Sequence, residues 1–116
     1  MNNIGDPELM NQLMKTLAQC DQCVKDMAEY GTAKDTAARD YYKARTKLAY
    51  ALKIKGESAT MINLLIKGEP EVAEKKLAFD SAVTQYEVAR EDLMLKKAKA
   101  KMLEAQIDRE WGASHD

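Results

Sequence analysis

The sequence predicts an all-α protein: a long antiparallel helical hairpin of coiled-coil type with a short helix at its turn. Three observations carry that expectation. Composition favours helix: one Phe, one Trp and two Pro appear in 116 residues, while Ala, Leu, Lys, Glu and Met are plentiful and little aromatic or β-branched material is left for sheets. Proline and glycine fall singly at separated points, as helix terminators do. The last third of the chain carries Val72, Phe79, Tyr86, Leu93, Ala100 and Ile107 seven residues apart without a miss, the period of one helix packing on another.

The elements follow in order. Asp6-Pro7-Glu8 reads as a helix start: Asp caps, Pro suits the first helical position, and an acid there complements the helix dipole. The first helix is expected over 7–55, with Lys55-Gly56 as its stop. Leu13, Cys20, Met27, Tyr41 and Leu48 form its packing row, interrupted by Lys34. Met10, Leu17, Val24, Ala38 and Leu52 form the row expected beside it, flanked by Cys23, Tyr30, Ala37, Ala44 and Ala51. Gly31-Thr32 is the weak point, where the helix can kink or, in the alternative four-helix bundle, break. Ser58 is placed to cap a short helix over 58–67, and Pro70 to start a last helix over 70–111, leaving 112–116 as a tail. At 1.5 Å per residue the two long helices would span about 73 and about 63 Å. That match in length favours one helical domain over 1–116, folded back about residues 56–69.

Charge supports the fold-back. Residues 1–30 carry two basic and five acidic groups, and 31–55 carry seven and two. Residues 56–80 carry three and five, 81–101 five and three, and 102–116 one and four. Folded antiparallel, the basic segment meets Glu71, Glu74 and Asp80, and the acidic start meets Lys96, Lys97, Lys99 and Lys101. Exposed pairs contribute only ~0–1 kcal/mol each, so they select orientation more than they stabilise.

A second apolar row, Val88, Leu95 and Met102, lies two residues beyond the main one, about 200° around the helix. In a lone hairpin it would face water. The expectation is that it packs on another copy of the chain, as a homo-oligomer and in the first instance a dimer, or on an unidentified protein. Ile62 and Leu65 of the short helix are candidate extensions of that surface, and Trp111 is a candidate anchor.

The residues offer little for catalysis. Cys20 and Cys23 form a C-x-x-C about four turns inside a helix, with Asp21 and Asp26 nearby. A redox pair sits instead at a helix N-terminus, where the dipole lowers the thiol pKa. A structural zinc site takes four ligands, which this pair would supply only across a two-fold axis between copies. Packing as small apolar residues is the favoured role, so no metal and no cofactor is expected. His115, the only histidine, stands next to last, and no glycine-rich phosphate loop is present. The chain is therefore not expected to be an enzyme. The stretch 38–55 places Arg39, Lys43, Arg45, Lys47, Lys53 and Lys55 beside Tyr42 and Tyr50, a candidate nucleic-acid face. A net charge of −1 argues against a dedicated nucleic-acid binder, and a solvated helix face is the plain alternative. No apolar run approaches a membrane span, and Met1-Asn-Asn-Ile lacks the features of a signal peptide. A cytoplasmic protein with reduced thiols is expected.

The stretch "YYKARTKLAYALKIKGESATMINLLIKGEPEVAEKKLAFDSAVTQYEVARED", with the later "REWG", resembles small all-helical accessory proteins of bacteriophages and prophages. The likeness covers residues 38–112: a Tyr- and Ala-rich helix, a short Gly-bounded helix, then a long charged one. It implies a factor that works by binding, either to host defence or replication proteins or to phage replication and recombination machinery, in the host cytoplasm. Together these expectations describe a non-catalytic protein–protein interaction factor, an inhibitor or regulator. The alternative is a nucleic-acid-associated accessory factor using the basic face.

Overall fold

A computed structural model describes residues 7–115 and contains three helices: α1 Pro7–Ile54, α2 Ala59–Gly68 and α3 Pro70–His115. The long helices α1 and α3 pack on each other as a helical hairpin. The expected caps are largely present. Asp6 lies outside the described residues, but Pro7 and Glu8 open α1 as the sequence suggests.

At the end of α1, Gly56 adopts φ +90°. Its N–H donates to the Lys53 carbonyl, and the Glu57 N–H donates to the Leu52 carbonyl at 3.1 Å. This paired closure ties off the last carbonyls, and it needs a residue free to take positive φ. Ser58 caps α2, its hydroxyl accepting from the Met61 N–H at 3.2 Å.

One residue then serves two helix ends. The Glu69 N–H donates to the Ile66 carbonyl at 3.3 Å, closing α2. Its carboxylate accepts from the Val72 N–H at 2.8 Å, capping α3. Pro70 sits at the first position of α3, where its missing N–H costs nothing.

Three expectations meet the structure at particular residues. First, the preferred long helix is present: α1 runs without interruption through Gly31. A Cβ there would stand 3.6 Å from the Tyr86 ring, so this site lies under an aromatic side chain and packing holds the helix together. Second, α3 continues past Gly112 to His115, because a lone glycine costs only about 1 kcal/mol in a helix and does not by itself end one. Third, of the second row expected on α1, Ala38 and Leu52 are half-buried but Met10, Leu17 and Val24 are exposed. There the flanking row packs instead: Cys23 is buried and Ala37 and Ala44 half-buried, joined by buried Leu9 and Thr16. One partner helix covers a narrow seam, so the apolar residue one position further round is left in solvent. Thr16 enters that seam because its hydroxyl donates to the Gln12 carbonyl at 2.8 Å, leaving only its methyl to be packed.

The chain forms two compact units, one of Glu29–Glu87, the other of the segments up to Ala28 and from Val88 onward. In the unit holding the turn, Tyr41, Ile66 and Val72 are buried, with Leu48, Ile62 and Phe79 packed around them. The Tyr41 and Phe79 rings stack at 6.0 Å between centroids. Lys34, which interrupts the apolar row, stays in the seam by placing its ammonium 4.4 Å from the Tyr86 ring centroid, a cation–π contact that answers its charge. In the other unit Leu9, Thr16, Cys23, Ala100 and Leu103 are buried.

Candidate functional site

The inward face of α3 uses the row from Val72 to Ile107, each residue buried or half-buried, with Ala82, Ala89 and Leu103 completing it. Residues two positions beyond that row turn away from α1. Val88, Leu95 and Met102 are accordingly 64%, 68% and 71% exposed. They share one face of α3, as their spacing predicts. Ala98 and Ala105 are exposed on the same face, three residues after Leu95 and Met102. Alanine raises no hydrophobic signal in the sequence; the offset of three from the larger residues is the clue that places Ala98 and Ala105 on this face. Beside Met102 lies an open hollow of about 350 Å³, lined by Met102, Ala105, Gln106 and Arg109 among others.

The other residues expected on such a surface have surroundings of their own. Ile62 is half-buried in the cluster around Tyr41 and Ile66. Leu65 lines a separate groove of about 410 Å³ at the turn, with Leu48, Leu52 and Leu64. Trp111 is half exposed, but nine residues place it about 180° around α3 from Met102.

Cys23 and Cys20 both fall in the seam, buried and half-buried respectively, and both are free thiols. The Cys23 S–H donates to Asp92 at 3.3 Å, and Asp92 also accepts from Lys96 at 2.8 Å. Burial, then the bond to Asp92, pushes the Cys23 thiol above its ordinary pKa. The two donated bonds, Lys96 first, hold Asp92 below the usual carboxylate value, and Asp92 in turn raises Lys96. A thiol kept protonated in this way is a poor nucleophile and a poor metal ligand. Among the described residues no group of three or more His, Cys, Asp or Glu is placed to hold a metal ion.

The basic face divides. Arg39, Lys43 and Lys47 line a surface groove of about 800 Å³ with Lys75 and Tyr42, but Asp40 and Glu71 line it too. Arg45, Lys53 and Lys55 are exposed elsewhere on α1 and at its end. Arg39 is 3.4 Å from Asp40. Lys76–Asp80 and Lys96–Asp92 likewise pair along one helix. Polar contacts between α1 and α3 include the Cys23 thiol on Asp92, Lys34 over Tyr86 and Lys76 near the Tyr41 ring.

Among the described residues no helix is long and apolar enough to cross a membrane. No protein-family model, no curated protein and no solved structure matches this chain.

Proposed function

We propose that this chain is a non-catalytic interaction protein of the cell interior that self-associates through the outer face of α3. On this reading it acts as a regulator by binding another protein, as the phage accessory factors it resembles do. The observation that supports self-association is the exposure of Val88, Leu95 and Met102 in regular succession on a helix whose opposite face is buried or half-buried against α1. Scattered exposed apolar residues are ordinary, whereas an aligned row is the mark of a contact surface. The apolar groove at the turn, with Leu64 and Leu65, is the surface left for a second protein.

The test is sedimentation of the full chain with and without Leu95→Glu, followed by partner capture in the presence of nuclease and high salt. A dimer that Leu95→Glu dissociates, and a captured protein that survives nuclease and salt, support the proposal. A monomeric chain whose captured material vanishes with nuclease overturns it.

The groove holding Arg39, Lys43, Lys47, Lys75 and Tyr42 favours a second reading, a nucleic-acid-associated factor. Four cations and an exposed ring suit phosphate and base, while Asp40 and Glu71 oppose them. Affinity for single-stranded DNA should then fall steeply between 50 and 200 mM salt. Flat affinity over that range removes this reading.

A further inference from the structure

The outer face of α3 is itself a regular seam. Val88, Leu95, Met102 and Arg109 stand seven apart, and Glu91, Ala98, Ala105 and Gly112 follow each by three. This is the spacing of a second helix–helix contact, on the side turned away from α1. From it, and resting on the self-association proposed above, we infer that two copies of the chain pair antiparallel along α3, with the two-fold axis passing beside residue 100.

That register makes every layer complementary in size or in charge. Antiparallel about residue 100, Leu95 of one copy meets Ala105 of the other, Met102 meets Ala98, and Val88 meets Gly112. Each large side chain is therefore opposed by a small one, which lets two helices approach closely and fill the space between them. The remaining layers set Glu91 against Arg109, once at each end of the contact. Both are exposed, and neither has an ion-pair partner among the described residues. The hollow beside Met102 fits the same arrangement. Met102, Ala105, Gln106 and Arg109 are spaced as the four walls of a socket, and Leu95 of the second copy is the knob that would enter it.

The competing arrangements fail on the same residues. A parallel pair would stack Glu91 on Glu91 and Arg109 on Arg109, with Ala98 facing Ala98 across a gap. Like charges opposed in this way are destabilising. Sliding the antiparallel pair by seven residues sets Glu91 against Met102 or Arg109 against Ala98, burying a charge without its partner. Lys99 and Lys101 flank the axis in the favoured register. They are exposed, and their long stems can carry the ammonium groups apart into water. An isologous contact of this kind closes on itself, so the assembly stops at two.

The test is a charge-swap cycle on the full chain, read by sedimentation equilibrium, with a cross-linking arm. Glu91→Arg alone and Arg109→Glu alone should each weaken dimerisation on the order of tenfold or more, and the double variant should restore it. Mild oxidation should cross-link Lys99→Cys to its own copy near the axis, and leave Val88→Cys uncross-linked. If Leu95→Glu dissociates the dimer but the double swap does not rescue, or Val88→Cys cross-links as readily as Lys99→Cys, the antiparallel register is overturned while self-association stands. If the unmodified chain is a monomer, both are overturned.

Discussion

Asp92 holds two donors at once, the Cys23 thiol at 3.3 Å and the Lys96 ammonium at 2.8 Å, and so joins α1 to α3 by a hydrogen bond. The thiol is pushed above its ordinary value chiefly by burial and then by this bond. It should therefore react slowly with iodoacetamide at pH 8, and Asp92→Asn should speed that reaction; equal rates would contradict the assignment. The sign for stability follows. A group whose folded pKa is raised stabilises most below its unfolded pKa, ~8.5 for a thiol, and loses that contribution as pH rises through the folded value. Denaturant midpoints measured from pH 7 to 10 should thus decline less in Cys23→Ala than in the unmodified chain. Gly31 offers a second test. An added Cβ would meet Tyr86 at 3.6 Å, an ordinary contact, while the helix gains propensity. Gly31→Ala should raise stability by about 0.5–1 kcal/mol in urea unfolding. The C-x-x-C was legible as packing because neither flank offered a dipole or further ligands. Asp92 as its acceptor was not, since 69 residues separate the pair and spacing along one helix says nothing about what faces it on another.

At the scale of the helices, the turn is built from caps. Gly56→Ala puts a side chain on a residue at φ +90° and should cost about 1–2 kcal/mol. Glu69→Ala removes the carboxylate that accepts from Val72 and should cost ~1 kcal/mol. Both are checked by chemical denaturation; unchanged midpoints would mean that the turn is held by something other than its caps. The starts and stops near residues 7, 56, 58 and 70 were legible because Pro, Gly and Ser act through local backbone chemistry. Glu69 was not, because glutamate is a rare cap and stood among other exposed acids. The inward row of α3 was legible because each member is apolar. On α1, Cys23, Ala37 and Ala44 were legible beside the packing row; Leu9 and Thr16 were not, because a threonine breaks the apolar pattern and the larger Met10, Leu17 and Val24 stand beside them.

For the whole molecule, two long helices folded back give each other one covered face. The hairpin followed from composition and one strict period, because a helix with a single apolar seam has few other ways to bury it. Arg39–Asp40, Lys76–Asp80 and Lys96–Asp92 pair along one helix, while a thiol on Asp92 and two aromatic rings under lysines bridge the seam. Among the apolar residues the fold leaves exposed are those of the outer seam of α3, where Val88, Leu95 and Met102 stand in water with small residues set between them. On the reading proposed above, a second helix covers that surface. Sedimentation equilibrium of the unmodified chain and of Leu95→Glu, both at micromolar concentration, tests this most directly. The expected result is twice the 13.0 kDa chain mass for the first and the single mass for the second. A single mass for both, with helical content intact, would contradict it.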